Sequence, residues 1–252
     1  MSFWESIVFI CPTLFIAGII DGIAGGGGLI ALPAYVMTGM PIHSAYGCNK
    51  LQSGFGTTIS AYRYWKSGMI DIKIVLISAF VAIVSSFAAT RIVLILDDRF
   101  LNNMMLVLLP AVAVVMLAKK RNAQERVNAP IDGKTIVLAA LIGLILGFYD
   151  GIFGPGGGTI AMILFSLLLK YDTRAACGNG KIVILVSNYI AMINYIISGD
   201  ILYQVAIPAA ICNALGSYVG TGLAIHRGKK LILPVMSAVM VLLVVQFVVK
   251  GL

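Results

Sequence analysis

The chain has 252 residues and a formal net charge of +8; 60% of its residues are hydrophobic and 11% are charged. A soluble domain carries about 25% charged residues, so this composition excludes an ordinary soluble protein. Charge-free apolar runs recur, and several approach the ~20 residues with which a helix crosses the hydrocarbon of a bilayer. The alternating pattern of a transmembrane barrel, over segments of about ten residues, is absent from the sequence. We therefore predict an all-α polytopic membrane protein.

The first half of the chain is predicted to contain a helix that glycine interrupts. Ser6–Ile20 forms the first helix, and Asp21 ends it. The sequence DGIAGGGGLIALP (residues 21–33) follows. Its glycine cluster is expected to unwind, because glycine costs about 1 kcal/mol relative to alanine inside a helix. The other predicted helices of this half are Leu29–Gly39, which is short, and Ala45–Tyr64, Ile72–Leu96 and Phe100–Ala118.

The second half repeats this plan, with DGIFGPGGGT (residues 150–159) in place of the first glycine motif. Matches at an offset of 129 residues are followed by matches at an offset of 131, as in Asp21/Asp150, Gly25/Gly154, Ala45/Ala176 and Lys50/Lys181. A consistent order of matches over this length indicates a duplication. The predicted units are a first transmembrane repeat at residues 1–120, a cytoplasmic linker at 121–134 and a second repeat at 135–252.

Two orientations of the halves are open. Four helices per half would make the repeats parallel. If each glycine motif instead divides its segment in two, each half has five segments, an odd number, and the halves are inverted. The inverted arrangement places 13 of the 18 lysine and arginine residues on the cytoplasmic side, as the positive-inside rule favours. We therefore predict inverted repeats with about eight full transmembrane helices, two short broken or re-entrant helices and external termini.

Lys50 and Lys181 are the first candidates for binding a solute. Each follows its glycine motif by some 30 residues and lies near the start of a predicted helix. Helix N-termini and exposed backbone N–H groups favour anions, and inverted-repeat transporters bind substrates at broken helices. The predicted substrate-binding residues are Lys50, Lys181, Asn49, Asn179, Gln52, Gly26, Gly27, Gly28, Gly156, Gly157 and Gly158. The alternative is that each lysine reaches an interface or pairs with a nearby aspartate.

Asp21 and Asp150 are the candidates for coupling. A carboxylate at the centre of a bilayer costs roughly 3 kcal/mol or more, so such a residue is a functional candidate by default. Either aspartate could accept a proton, or could hold a lysine in place until substrate arrives. The structural alternative is that each caps a helix or stabilises the Asp-Gly turn.

Signals for other functions are weak. The glycines do not follow a β-strand, so a P-loop or dinucleotide-binding reading fails on context, and no nucleophile–base–acid set indicates an enzyme. The four cysteines show no metal-ligand or CxxC spacing. We expect no cofactor, no metal site and no nucleic-acid partner.

The two glycine motifs, together with GCNKLQ (residues 47–52) and GFYDGIFGPGGG (residues 147–158), resemble the TauE/SafE family of sulfite exporters, and most of all its YfcA-like branch. The resemblance covers nearly the whole chain. It implies a plasma-membrane permease of two homologous halves that moves sulfite, sulfoacetate or another small sulfur-containing or organic anion. The second motif departs from the first at Pro155 and has Met162 where the first has Pro33, so the halves are expected to contribute unequally.

The predicted function is secondary transport of a small anion by alternating access. The predicted partners are that anion, a coupling proton or cation, and the lipid bilayer. An anion channel, or a membrane subunit of a larger assembly, is the alternative.

Overall fold

The computed structural model describes residues 3–101, 103, 132–228, 230–232, 234–235 and 238. Eight α-helices have both ends in these ranges, further helical residues lie at 98–101, 103, 230–232, 234–235 and 238, and no strand occurs among the described residues. The helices are α1 (Phe3–Ala24), α2 (Gly28–Met37), α3 (Ile42–Lys66), α4 (Ile72–Ile95), α5 (Gly133–Ile152), α6 (Gly157–Leu168), α7 (Thr173–Ser198) and α8 (Tyr203–Arg227). Most of the predicted helix Phe100–Ala118, nearly all of the linker at 121–134 and most of the end of the second repeat lie outside the described residues.

Both glycine motifs interrupt a helix, and α2 and α6 are the short helices that follow. The prediction that Asp21 ends the first helix is wrong, because α1 continues through Asp21 to Ala24. The Gly25 N–H still donates to the Asp21 carbonyl oxygen, at 2.8 Å. The helix ends where Gly25 takes a φ of +77°, in the left-handed region that glycine enters without steric cost.

Five of the described helices are long and apolar enough to cross a membrane, namely α1, α4, α5, α7 and α8. They support the predicted multi-pass helical membrane protein. The helix α3 has 25 residues but a mixed composition, with Asn49, Lys50 and Gln52 buried in its first half. The full count of eight spanning helices stays a prediction.

Small residues bring helices of the two halves into close contact. On α5, Gly143, Gly147 and Gly151 face α4, and a Cβ on Gly151 would lie 2.8 Å from the Ala89 Cβ. The corresponding pair is α1 with α8, where a Cβ on Gly22 would lie 2.7 Å from the Thr221 backbone nitrogen. Small-xxx-small spacing lets helix backbones approach in this way. Each half is therefore completed by a helix of the other.

The helices α3 and α7, which correspond in the sequence repeat, pack antiparallel. A Cβ on Gly47, near the start of α3, would lie 3.4 Å from the Tyr195 Cβ near the end of α7. A Cβ on Gly178, near the start of α7, would lie 2.6 Å from the carbonyl oxygen of Met69, just beyond the end of α3. The first halves of both helices thus carry their buried lysines into the same central region from opposite directions.

Candidate functional site at the two helix breaks

Two crossed ion pairs join the halves. Lys50 on α3 pairs with Asp150 on α5, with 3.0 Å between Nζ and Oδ2. Lys181 on α7 pairs with Asp21 on α1, with 2.6 Å between Nζ and Oδ2. Each lysine therefore contacts the aspartate of the other half, and the two pairs correspond under the sequence repeat.

The ends of α1 and α5 supply a second acceptor to each ammonium group. Lys181 donates to the Asp21 carbonyl oxygen at 2.7 Å, and Lys50 donates to the Asp150 carbonyl oxygen. These carbonyls belong to the last turns of their helices, where the helix dipole places partial negative charge. A buried ammonium group needs such partners, because an unpaired buried charge costs several kcal/mol.

The two breaks touch each other. Thr159 on α6 donates from its hydroxyl to the Ala24 carbonyl oxygen at 2.6 Å. A Cβ on Gly158 would lie 2.6 Å from the Gly25 Cα, and one on Gly28 would lie 3.0 Å from the Pro155 Cα. Backbone meets backbone at this point, which explains why glycine occupies these positions.

A cavity of about 20 Å³ lies between the breaks. A single water molecule needs roughly 10–15 Å³ of such space, so the cavity holds about one water molecule and is too small for an oxyanion such as sulfite. It is lined by Asp21, Gly25, Gly28, Asn49, Ser53, Thr57, Asp150, Gly154, Gly156, Gly158, Ile184 and Asn188. The central site is therefore polar and narrow in this conformation.

The N-termini of α2 and α6 and the C-termini of α1 and α5 all meet at this cavity. The N-termini carry partial positive charge and the C-termini partial negative charge. Discontinuous helices in secondary transporters use this arrangement to bind an anionic group and a coupling cation side by side.

The structure brings only part of the predicted set to the cavity wall. Among the predicted residues, Asp21, Asp150, Asn49, Gly28, Gly156 and Gly158 line the cavity, whereas Lys50, Lys181, Gln52, Asn179, Gly26, Gly27 and Gly157 are not among the lining residues. The two lysines are buried, with 0% and 3% of their surface exposed, and lie behind their aspartates.

Gln52 and Asn179, the other polar residues predicted to bind substrate, make hydrogen bonds within the protein. Gln52 donates from Nε2 to the Asn49 side-chain oxygen at 2.9 Å and so orients a residue of the cavity wall. Asn179 accepts a hydrogen bond from the Asp71 backbone N–H at 2.8 Å, where Asp71 is the N-cap of α4.

Sequence reasoning missed Ser53, Thr57 and Ile184, and gave little weight to Asn188. A signal was present, because Asn49, Ser53 and Thr57 recur every four residues and so share one face of α3. Ile184 and Asn188 occupy the positions that correspond to Ser53 and Thr57 in the second half. The cavity thus lies where matching positions of the two halves face each other.

These features define a multi-pass helical membrane protein whose two broken helices enclose a central polar site, the architecture of solute transporters. Residues 10–247 match the family model described as "Sulfite exporter TauE/SafE". The chain belongs to this family of membrane transporters.

Relatives of similar length carry the same kind of name. The chain is 34% identical over 228 residues to a "Probable membrane transporter protein" of Haemophilus influenzae, covering 87% of this chain and 86% of that protein. It is 32% identical over 244 residues to "Probable membrane transporter protein ORF9" of a Sinorhizobium species, covering 95% and 91%. It is 26% identical over 251 residues to "Probable membrane transporter protein YfcA" of Escherichia coli K12, covering 95% and 93%. No solved structure matches the chain.

Proposed function

We propose that this protein is a secondary carrier that moves a small anion across the cell membrane by alternating access. Sulfite, sulfoacetate and related sulfur-containing or organic anions are the substrate class, in line with the description of the family. The observation that carries the proposal is the pair of crossed lysine–aspartate contacts beside a narrow polar cavity at two helix breaks.

In this proposal the anion binds to lysine side chains that are paired with aspartates in the present conformation. Lys50 and Lys181 lie behind Asp150 and Asp21, which line the cavity wall. An oxyanion that enters an expanded cavity competes with these carboxylates for the ammonium groups. The Asn49 side chain and the backbone N–H groups at the start of α2 and α6 add hydrogen-bond donors. Asp21 and Asp150 are the coupling residues because releasing a lysine changes their charge balance.

The narrow cavity favours a carrier over a channel. An open channel needs a continuous wet path, whereas the space between the breaks is about 20 Å³. A carrier that cycles between outward and inward openings passes through conformations in which the central site is constricted.

We propose that the halves, residues 1–120 and 135–252, are inverted repeats around this site. Support comes from the antiparallel packing of α3 and α7, which correspond in the repeat. In this orientation the basic linker at 121–134 faces the cytoplasm of a plasma membrane and both ends of the sequence face outward.

The test is anion flux into proteoliposomes containing the purified protein, with sulfite, thiosulfate, sulfoacetate and small carboxylates as probes. Lys181→Ala and Lys50→Ala are expected to abolish flux. Lys66→Ala, at an exposed position on α3, is the matched control and should transport normally.

Counterflow separates the two mechanisms, because only a carrier accelerates uptake of labelled anion when unlabelled anion is inside. Normal flux in both Lys50→Ala and Lys181→Ala would refute the site. Wild-type protein that moves none of the probes would refute the substrate class.

A further inference from the structure

The two crossed ion pairs are unequal in exposure. The side chains of Lys50 and Asp150 are 1% and 2% exposed. Those of Lys181 and Asp21 are 4% and 20% exposed. Both carboxylates line the cavity, and Asp21 is the more exposed of the two, while Asp150 is almost fully buried against its lysine.

The two ammonium groups also differ in which residues hold them. Lys50 donates to the Asp150 carbonyl oxygen and, on another helix, to the Asn188 side-chain oxygen at 3.4 Å. The third oxygen near its Nζ, Asp150 Oδ2 at 3.0 Å, makes an ion-pair contact without hydrogen-bond geometry. Lys181 has two hydrogen-bond acceptors in the described part of the chain, and both belong to Asp21. Lys181 is therefore held by Asp21 alone, whereas Lys50 keeps Asn188 if Asp150 lets go.

The cavity wall offers a polar group with nothing bound to it. Thr57 is 2% exposed and lines the cavity, and its hydroxyl has no hydrogen-bond partner among the described residues. The second half has Asn188 at the matching position, and Asn188 already contacts Lys50. Asn188 accepts this bond with its oxygen, so its amide N–H groups, like the Thr57 hydroxyl, are donors left for a solute at the cavity wall.

We propose that Asp21 is the proton-binding site of the transport cycle and that Lys181 is the ammonium group released to the anion, while the Lys50–Asp150 pair stays intact. This inference rests on the proposed anion transport, assigns its coupling ion, and narrows the two candidate lysine–aspartate pairs to Lys181 and Asp21 as the pair that separates. One proton from water binds an Asp21 carboxylate oxygen and forms an O–H bond. Lys181 keeps its own protons and its charge, and donates to the incoming anion instead of to Asp21.

Charge balance favours such a step. The site holds two ammonium groups and two carboxylates, so its net charge is zero. An anion alone would leave uncompensated negative charge, which is costly at low dielectric. Protonation of Asp21 removes one unit of that negative charge, with Lys181 facing the anion and a neutral carboxyl group beside it.

The surroundings of Asp21 contain few other groups that could take this role. The helices packed against α1 are α2, α3, α6 and α8, and α7 contributes Lys181. The charged or titratable groups around Asp21 are Lys181, its ion-pair partner, and Tyr64 of α3, which also lies near Cys177 and Arg174 of α7. Lys50 and Asp150 lie across the cavity, and Arg63 of α3 stacks on Tyr218 of α8. The helix α6 carries no charged residue.

Proton uptake during anion binding tests the proposal directly. Sulfoacetate is the probe because its charge does not change near neutral pH, and calorimetry in two buffers of different ionisation enthalpy counts the protons bound. Wild type should take up one proton per anion, so its affinity should rise as the pH falls, by up to about tenfold per pH unit. Asp21→Asn should bind sulfoacetate with no proton uptake and no pH dependence.

Asp98→Asn, whose side chain is 62% exposed and does not line the cavity, is the control and should keep both the proton uptake and the pH dependence. Proton uptake that persists in Asp21→Asn, or that is lost in Asp150→Asn alone, overturns the proposal. If Asp21→Asn does not fold, Asp21→Asn combined with Lys181→Gln removes the pair without leaving a buried charge and should likewise show no pH-dependent protonation.

An infrared pH titration of the protein without any anion separates this inference from the proposed function. A protonated-carboxyl band that Asp21→Asn removes and Asp150→Asn keeps supports Asp21 as the proton site even if sulfoacetate does not bind. A band that follows Asp150 instead refutes the assignment, whichever anion is the substrate.

Discussion

Removing one member of the Lys50–Asp150 pair is expected to destabilise the fold more than removing both. The side chains are 1% and 2% exposed, and three oxygen atoms surround the ammonium group. Breaking a buried pair from one side typically costs about 3–5 kcal/mol, because the remaining charge is left without a partner. At about 2–4 °C per kcal/mol for a chain of this size, Asp150→Asn should lower the melting temperature by roughly 6–20 °C.

The double variant Lys50→Met with Asp150→Asn carries no unpaired charge. The double variant should therefore lose less free energy of unfolding than the two single variants lose in sum. The difference should reach up to about 3 kcal/mol, the upper range of coupling between residues in contact. The assay is thermal unfolding in detergent, followed by loss of the monodisperse peak in size-exclusion chromatography.

An exposed ion pair provides the control for this cycle. Asp98 lies 3.4 Å from the His43 ring nitrogen and its side chain is 62% exposed. Exposed pairs contribute about 0–1 kcal/mol, so Asp98→Asn should shift the melting temperature by no more than a few degrees. Additive losses in the double variant, or an Asp150→Asn shift as small as that of the control, would refute the reasoning.

Three further variants test the breaks, the helix contacts and the cavity wall. Gly25→Ala should destabilise the protein more than Gly39→Ala. Both residues have a positive φ, which costs about 1–2 kcal/mol for alanine, but only at Gly25 would a Cβ also collide with backbone. Equal melting temperatures of the two variants would contradict this. Gly147→Ala should cost about 1–3 kcal/mol by overpacking, whereas Gly133→Ala meets nothing within 4 Å and should melt like wild type. Thr57→Val should weaken sulfoacetate binding roughly 10- to 150-fold, the worth of a hydrogen bond to a charged group, with stability unchanged; unaltered affinity in calorimetry would exclude the hydroxyl as a ligand.

Local sequence located the helix breaks well but placed one helix end too early. The glycine clusters of both motifs do interrupt a helix, because several adjacent residues without side chains cannot hold helical backbone at low cost. Asp21 was expected to end α1, whereas α1 extends through it to Ala24. The helix persists because the Asp21 carbonyl oxygen has two donors, the Gly25 N–H and the Lys181 ammonium group, and the second comes from 160 residues away.

The sequence by itself determined that this is a helical membrane protein of the TauE/SafE family with two broken helices, because composition and local glycine content act without reference to packing. It also singled out Lys50, Lys181, Asp21 and Asp150 by the cost of placing charge in apolar surroundings. Only the tertiary structure decided that each lysine pairs with the aspartate of the other half, across 100 and 160 residues of chain. The physical reason is that partner choice and burial depend on how α1, α3, α5 and α7 pack, and no local property of the chain encodes which of two matching aspartates is the more exposed.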